Sequence, residues 1–97
     1  MKKTYTPTGK SCRVTFALPA EVKARKASLC GEFNAWDPKK HPMKKRKDGS
    51  FSVTVSLKPG REYRFRYLVD GKKWENDWAA DGYAANEFGT DDSVVNV

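Results

Sequence analysis

The sequence predicts an all-β domain, a sandwich or barrel of short strands. Three observations carry that expectation: several runs alternate polar and apolar residues with period two, no eleven-residue window holds a helical period, and turn residues punctuate the chain between the runs. At 97 residues the chain has the length of one domain. A domain of this size buries only about 60–65% of its unfolded surface, so the core is small and any site lies shallow.

Residues 1–11 read as a loosely held, flexible tail, followed by a single domain over residues 12–97. Arg13 to Leu18 alternates, with Val14, Phe16 and Leu18 inward and Cys12 on their face. Ala20 to Lys26 has room for one helical turn. Ala27 to Gly31 is a short strand in which Cys30 has the opposite parity to Leu29 and points outward. The clearest run, Ser50 to Leu57, alternates strictly and turns Phe51, Val53, Val55 and Leu57 inward. In the next strand, Tyr63, Phe65, Tyr67 and Val69 share one face, and Arg64, Arg66 and Leu68 the other. Residues 75–92 form a long polar connection, and Ser93 to Val97 is the last strand.

Pro59-Gly60 suits a type II turn, with Pro setting φ and Gly supplying a positive one. Asp48-Gly49 and Asp70-Gly71 are hairpin signals. Register sharpens both. For Met43 to face inward with Val53 and Val55, paired residue numbers must have an even sum, which requires a three-residue loop with Gly49 left-handed. A three-residue loop over Asp70, Gly71 and Lys72 likewise sets Trp74 opposite Leu68, beside Arg66 on the outer face.

Lys plus Arg number 19 against 12 Asp plus Glu, a net charge of +7. The excess is uneven: residues 1–50 carry +9 and residues 51–97 carry -2. Such a balance raises the question of a polyanionic partner. Yet the basic run Lys44 to Lys47 does not interleave with aromatics and reads as a solvated strand and hairpin. Neither nucleic acid nor a membrane is therefore expected as a partner. No stretch approaches the roughly 18 apolar residues of a membrane span. The N-terminal lysines have no apolar run behind them, so no signal peptide is read there. Cys12 and Cys30 are too few for a disulfide scaffold and are expected as free thiols, which fits a cytoplasmic setting. The lone histidine, His41, sits in a polar loop and is no metal ligand. Neither a metal nor a cofactor is expected, and no nucleophilic triad or cleft-flanking carboxylate pair suggests catalysis.

Three tryptophans with polar neighbours, Trp36, Trp74 and Trp78, suggest a stacking platform. A sugar ring or a nucleobase are the two flat partners such a platform takes. The run Leu29-Cys30-Gly31-Glu32-Phe33-Asn34-Ala35-Trp36-Asp37-Pro38 resembles the GxFNxW signature of carbohydrate-binding module family 48. That family includes the N-terminal domains of isoamylases and branching enzymes and the glycogen-binding domain of the AMP-activated kinase β subunit. The likeness continues through Pro42-Met43, Asp48 to Phe51, Leu57 to Gly60, Tyr67 to Gly71 and Trp74, and ends in Asn86 to Gly89 and Asp92 to Val95.

The resemblance implies an immunoglobulin-like β-sandwich of the early-set type and a glucan-binding surface. It implies that Trp36 and Trp74 stack on glucose, that Arg66 stands where the kinase subunit has a lysine, and that Phe88 and Thr90 form part of the rim. Asp92 stands where the family has an asparagine, and a carboxylate only accepts where an amide also donates. Asn34 and Trp78 are accessory candidates, Trp78 as either packing or an extended subsite. The function implied is non-catalytic binding of α-1,4-glucans: glycogen, starch or maltooligosaccharides. The alternative is a protein-interaction module that docks on or regulates a glycoside hydrolase, another glucan-metabolising enzyme or a kinase.

Overall fold

Strict alternation leaves each strand one apolar face, and two sheets that stack those faces remove them from water together. A computed structural model, covering residues 1–97, shows this arrangement. One antiparallel sheet has the order β1 (Lys2–Tyr5), β2 (Cys12–Leu18), β5 (Phe51–Leu57), β4 (Lys44–Lys45). The other has the order β3 (Ala27–Gly31), β6 (Glu62–Val69), β9 (Asp91–Asn96), β8 (Gly82–Ala85), and β7 (Lys73–Glu75) pairs with β6. The only helical pieces are single 3-10 turns at Ala20–Val22 and Glu32–Asn34. The result is an all-β sandwich consistent with the immunoglobulin-like expectation.

Between the sheets, Val14, Phe16 and Leu18 of β2 are fully buried with Leu29, Phe65, Tyr67 and Val95. Phe16 meets the Phe65 ring edge-on, with centroids 4.9 Å apart, and Phe65 meets Tyr67 likewise at 5.7 Å. These are the geometries aromatic quadrupoles favour. On β5 only Phe51 and Leu57 are fully enclosed, while Val53 and Val55 are half-buried.

Both register expectations hold. Lys44 pairs with Ser52 and Lys45 with Phe51, an even sum, and Gly49 takes φ 90° at the end of a three-residue loop. Leu68 pairs with Trp74 and Val69 with Lys73, with Asp70 and Gly71 both at positive φ. The Asp70 carboxylate also receives the Arg25 and Lys26 amides, which tie this hairpin to the segment before β3.

Three expectations are corrected. The supposed tail contains β1, which pairs with β2 from Lys2 opposite Thr15 to Tyr5 opposite Cys12. Its Lys3 Nζ lies 2.6 Å from Asp81 Oδ2, a link to the segment before β8. The connection 75–92 holds β8 and the first residues of β9. Cys30 does lie on the outer face of its sheet, but it is wholly buried. Burial, aided by the charge of Asp37, pushes its thiol up to about 11. Cys12 and Cys30 lie in different sheets and both are free.

A buried polar network holds the chain after β7. The Tyr67 hydroxyl donates to Asp77 Oδ2 at 2.6 Å, the Asp77 amide donates to Ser93 Oγ, and Ser93 Oγ donates to Asn76 Oδ1. Burial, with the Asp77 charge beside it, pushes the Tyr67 phenol far above its ordinary range.

The outward positions of the β1-β2-β5-β4 sheet are Lys2, Thr4, Arg13, Thr15, Ala17, Lys44, Ser52, Thr54 and Ser56. Arg46 adds its Nε to Ser52 Oγ at 3.1 Å. The strand positions of this face carry cations, four counting Arg46, and several hydroxyls, and Asp48 stands in the hairpin beside Arg46.

Candidate functional site

The site lies on the outer face of the other sheet and is built from three segments. The first is the loop that leaves β3. Gly31 allows it: a Cβ there would stand 2.7 Å from the Arg64 carbonyl oxygen. The chain then makes the Glu32–Asn34 turn. Asn34 was expected in the groove, but it is buried beneath the loop. Its Oδ1 accepts the Gly31 amide at 3.0 Å, its Nδ2 donates to the Leu29 carbonyl at 2.9 Å, and the same Nδ2 lies 2.8 Å from His41 Nδ1. The Trp36 amide closes the turn on the Gly31 carbonyl. Ala35 and Trp36 are both left-handed, at φ 56° and 59°. Non-glycine residues occupy that region at a cost of about 1–2 kcal/mol each, so the surrounding bonds hold this loop in one shape.

The second segment is the β6–β7 hairpin. Trp74 is 42% exposed. Its ring lies edge to face with Trp36, with centroids 6.5 Å apart and planes at 78°. The Arg66 guanidinium sits over the Trp74 ring at 5.2 Å.

The third is the β8–β9 tip. Asn86 Oδ1 accepts the amides of Phe88 and Thr90, and Asn86 Nδ2 donates to Thr90 Oγ1 and to Asp92 Oδ1. This knot projects Phe88, which is 79% exposed.

Together these segments enclose an open groove of about 880 Å³. Trp36, Arg66, Trp74, Phe88 and Asp92 all line it. Thr90 does not, because its hydroxyl is turned onto Asn86. Nor does Trp78, which is 58% exposed with its indole N–H on Glu75 Oε1 at 3.3 Å.

Several lining residues were not singled out from the sequence. Arg64 has the parity of Arg66, a signal that could have found it. Glu32 Oε1 accepts the Arg64 amide at 2.7 Å and also borders the groove. Asn86, Glu87 and Ala85 complete one wall.

The buried carboxylate of the groove is paired within it. Asp92 is 6% exposed, and its Oδ1 lies 3.2 Å from Arg66 Nε and its Oδ2 3.6 Å from Arg64 Nη1. The Arg66 Nε–H is buried and points off the line to any acceptor, so this contact is ionic rather than an aligned hydrogen bond. Two indoles, an exposed phenyl ring and a set of fixed polar groups can therefore take a flat, hydroxylated, uncharged ring.

Comparison with known proteins gives the family. The family model described as carbohydrate-binding module 48, the isoamylase N-terminal domain, matches residues 4–84. The chain belongs to carbohydrate-binding module family 48. This family 48 domain is 35% identical over 75 residues to the 1,4-alpha-glucan branching enzyme GlgB of Photobacterium profundum, covering 74% of this chain and 10% of the enzyme. It is 42% identical over 55 residues to GlgB of Prochlorococcus marinus, covering 56% of this chain and 7% of that enzyme. With the branching enzyme of Rhizophagus irregularis it shares 56% identity over 34 residues, 35% of this chain and 5% of that enzyme. The family 48 domain thus spans a tenth or less of the length of these relatives.

Proposed function

We propose that this domain binds α-1,4-glucans, as glycogen, starch or maltooligosaccharides, by stacking glucose on Trp36 and Trp74. The observation that carries this reading is the pair of indoles 6.5 Å apart at the floor of an open groove, with Arg66 over one of them and Asp92 beside it. Phe88 props the ring from the rim, Arg66 and Asp92 meet the hydroxyls, and Asn86 fixes the tip that carries Phe88. The groove is open and shallow, so affinity for a short oligosaccharide is modest. We read the domain as non-catalytic. Glu32 and Asp92 accept bonds within the fold, and the shallow, open groove gives Glu87 no deep cleft in which two carboxylates could flank a scissile bond. Two unpaired thiols support placing it in the reducing cytoplasm.

Titration of maltoheptaose against tryptophan fluorescence tests the reading. A saturable response is expected at up to millimolar sugar, nearly independent of salt, and lost in Trp36→Ala plus Trp74→Ala. No response, or an unchanged response in that double variant, overturns it.

A second reading has its own support. The outward face with Lys2, Arg13, Lys44 and Arg46 has no acid at its strand positions and lies across the sandwich from the groove. It suits docking on an acidic surface of a glucan-metabolising enzyme. A stable partner retained by the double tryptophan variant and released by salt would favour it.

A further inference from the structure

The amide of Asn34 has only one orientation that satisfies its surroundings. Its oxygen must face the Gly31 N–H, and its nitrogen must face the Leu29 carbonyl. Reversing it would set oxygen against oxygen and N–H against N–H. The second hydrogen on Nδ2 then points at His41 Nδ1, 2.8 Å away. That nitrogen must present a lone pair, so the imidazole is neutral and carries its proton on Nε2.

Protonation of His41 would bring a second donor against the Asn34 amide. Asn34 is 4% exposed, so water cannot readily take over the lost contact. The same side chain ties Gly31 to Leu29 at the base of the loop whose next residues, Ala35 and Trp36, are left-handed. A tryptophan holds that conformation only while its surroundings over-determine it.

We propose that His41 is the positioning residue of the Trp36 loop, and that loss of its Nδ1 lone pair on protonation loosens the loop and weakens glucan binding. The effect on affinity rests on the glucan-binding reading above; the effect on the loop does not.

The other groups around the imidazole do not supply the switch. The Phe33 ring packs against it with centroids 6.1 Å apart. From β3, the Cys30 thiol is kept protonated by burial. From the loop itself, Asp37 Oδ1 accepts the Lys39 amide. From β4, Lys45 Nζ reaches the Ala24 carbonyl, and Lys44 lies on the outward face. From β6, Arg66 is paired with Asp92. No carboxylate forms an ion pair with His41.

The chain has a single histidine, so its NMR signals are unambiguous. At alkaline pH, imidazole 15N shifts should show Nδ1 unprotonated, and as those shifts report a proton arriving on Nδ1 the protection factors of the Gly31 and Trp36 amides, each rate referred to the unstructured-chain rate at the same pH, should fall, with no sugar present. Maltoheptaose affinity of the unaltered domain should be at least about fivefold weaker at the acidic end. His41→Asn supplies an oxygen acceptor near Nδ1 and does not titrate, so its affinity should stay within about twofold. A proton on Nδ1 at the alkaline end, amide protection indifferent to His41 protonation, or a His41→Asn variant that loses affinity as steeply as the parent would each overturn the proposal. Absence of binding at every pH would instead sink the glucan reading, while the tautomer and exchange measurements still decide the loop.

Discussion

Arg66 Nε lies 3.2 Å from Asp92 Oδ1, and the resemblance to family 48 sets these residues where the kinase subunit has a lysine and the family an asparagine. The departures answer one another, since the carboxylate meets the guanidinium that faces it. Asp92→Asn should weaken maltoheptaose binding because Arg66 and Arg64 lose their counter-charge. Arg66→Lys should weaken it by leaving Asp92 with a less matched partner. The double variant should bind better than the two losses combined would allow, with a coupling of about 0.5–3 kcal/mol by calorimetric titration. Strict additivity would show the two residues act independently.

Trp74 and Trp78 separate binding from folding. Both are exposed, but only Trp74 lines the groove. Trp74→Ala should leave urea stability within about 0.5 kcal/mol and reduce maltoheptaose affinity by about tenfold or more, or ~1.4 kcal/mol. Trp78→Ala should leave that affinity unchanged.

Gly31→Ala tests the close approach of the loop to β6. The new methyl would meet the Arg64 carbonyl oxygen at 2.7 Å and the Phe33 ring at 2.8 Å. The ring can move aside, but the carbonyl belongs to a paired strand. Denaturant unfolding should show a loss of about 1–3 kcal/mol. Unchanged stability would mean that β3 and β6 can separate freely at this point.

Acid should open the link between β1 and the segment before β8. Partial burial raises the Asp81 carboxyl, but the Lys3 ammonium and the Asn96 amide outweigh it and hold it below the usual carboxylate range. The folded state therefore binds fewer protons here than the unfolded state. The stabilisation is present above the unfolded pKa of about 3.9 and is lost as pH falls through the lower folded value. Asp81→Asn should lower the urea midpoint at neutral pH and make its fall on acidification shallower. Parallel pH profiles in the two proteins would remove Asp81 from the account.

The sandwich was legible where side chains alternate. Phe51 to Leu57 and Tyr63 to Val69 declare their inner faces by parity, and the same parity put Trp74 opposite Leu68. β1 and β8 were not legible, because Lys2–Tyr5 and Gly82–Ala85 sit at sheet edges and are held chiefly by backbone pairing. Within the groove, Trp36, Arg66, Trp74, Phe88 and Asp92 were found through resemblance and register. Asn34 and Thr90 lie outside the groove lining, turned onto His41 and Asn86 by loop geometry that residue spacing does not reveal. Glu32 escaped for the same reason, since its role is to hold a backbone amide on another strand.

The cationic sheet and the groove occupy opposite outer faces of the sandwich. A domain adsorbed on a polysaccharide particle through its groove turns that cationic face toward solvent. A crowded layer then becomes a coat of like charge whose members repel over about 10 Å at 0.1 M salt. Maximal loading on glycogen should rise with ionic strength, while the affinity of isolated molecules stays constant. Coverage of the particle would then be limited by the sheet that does not touch it.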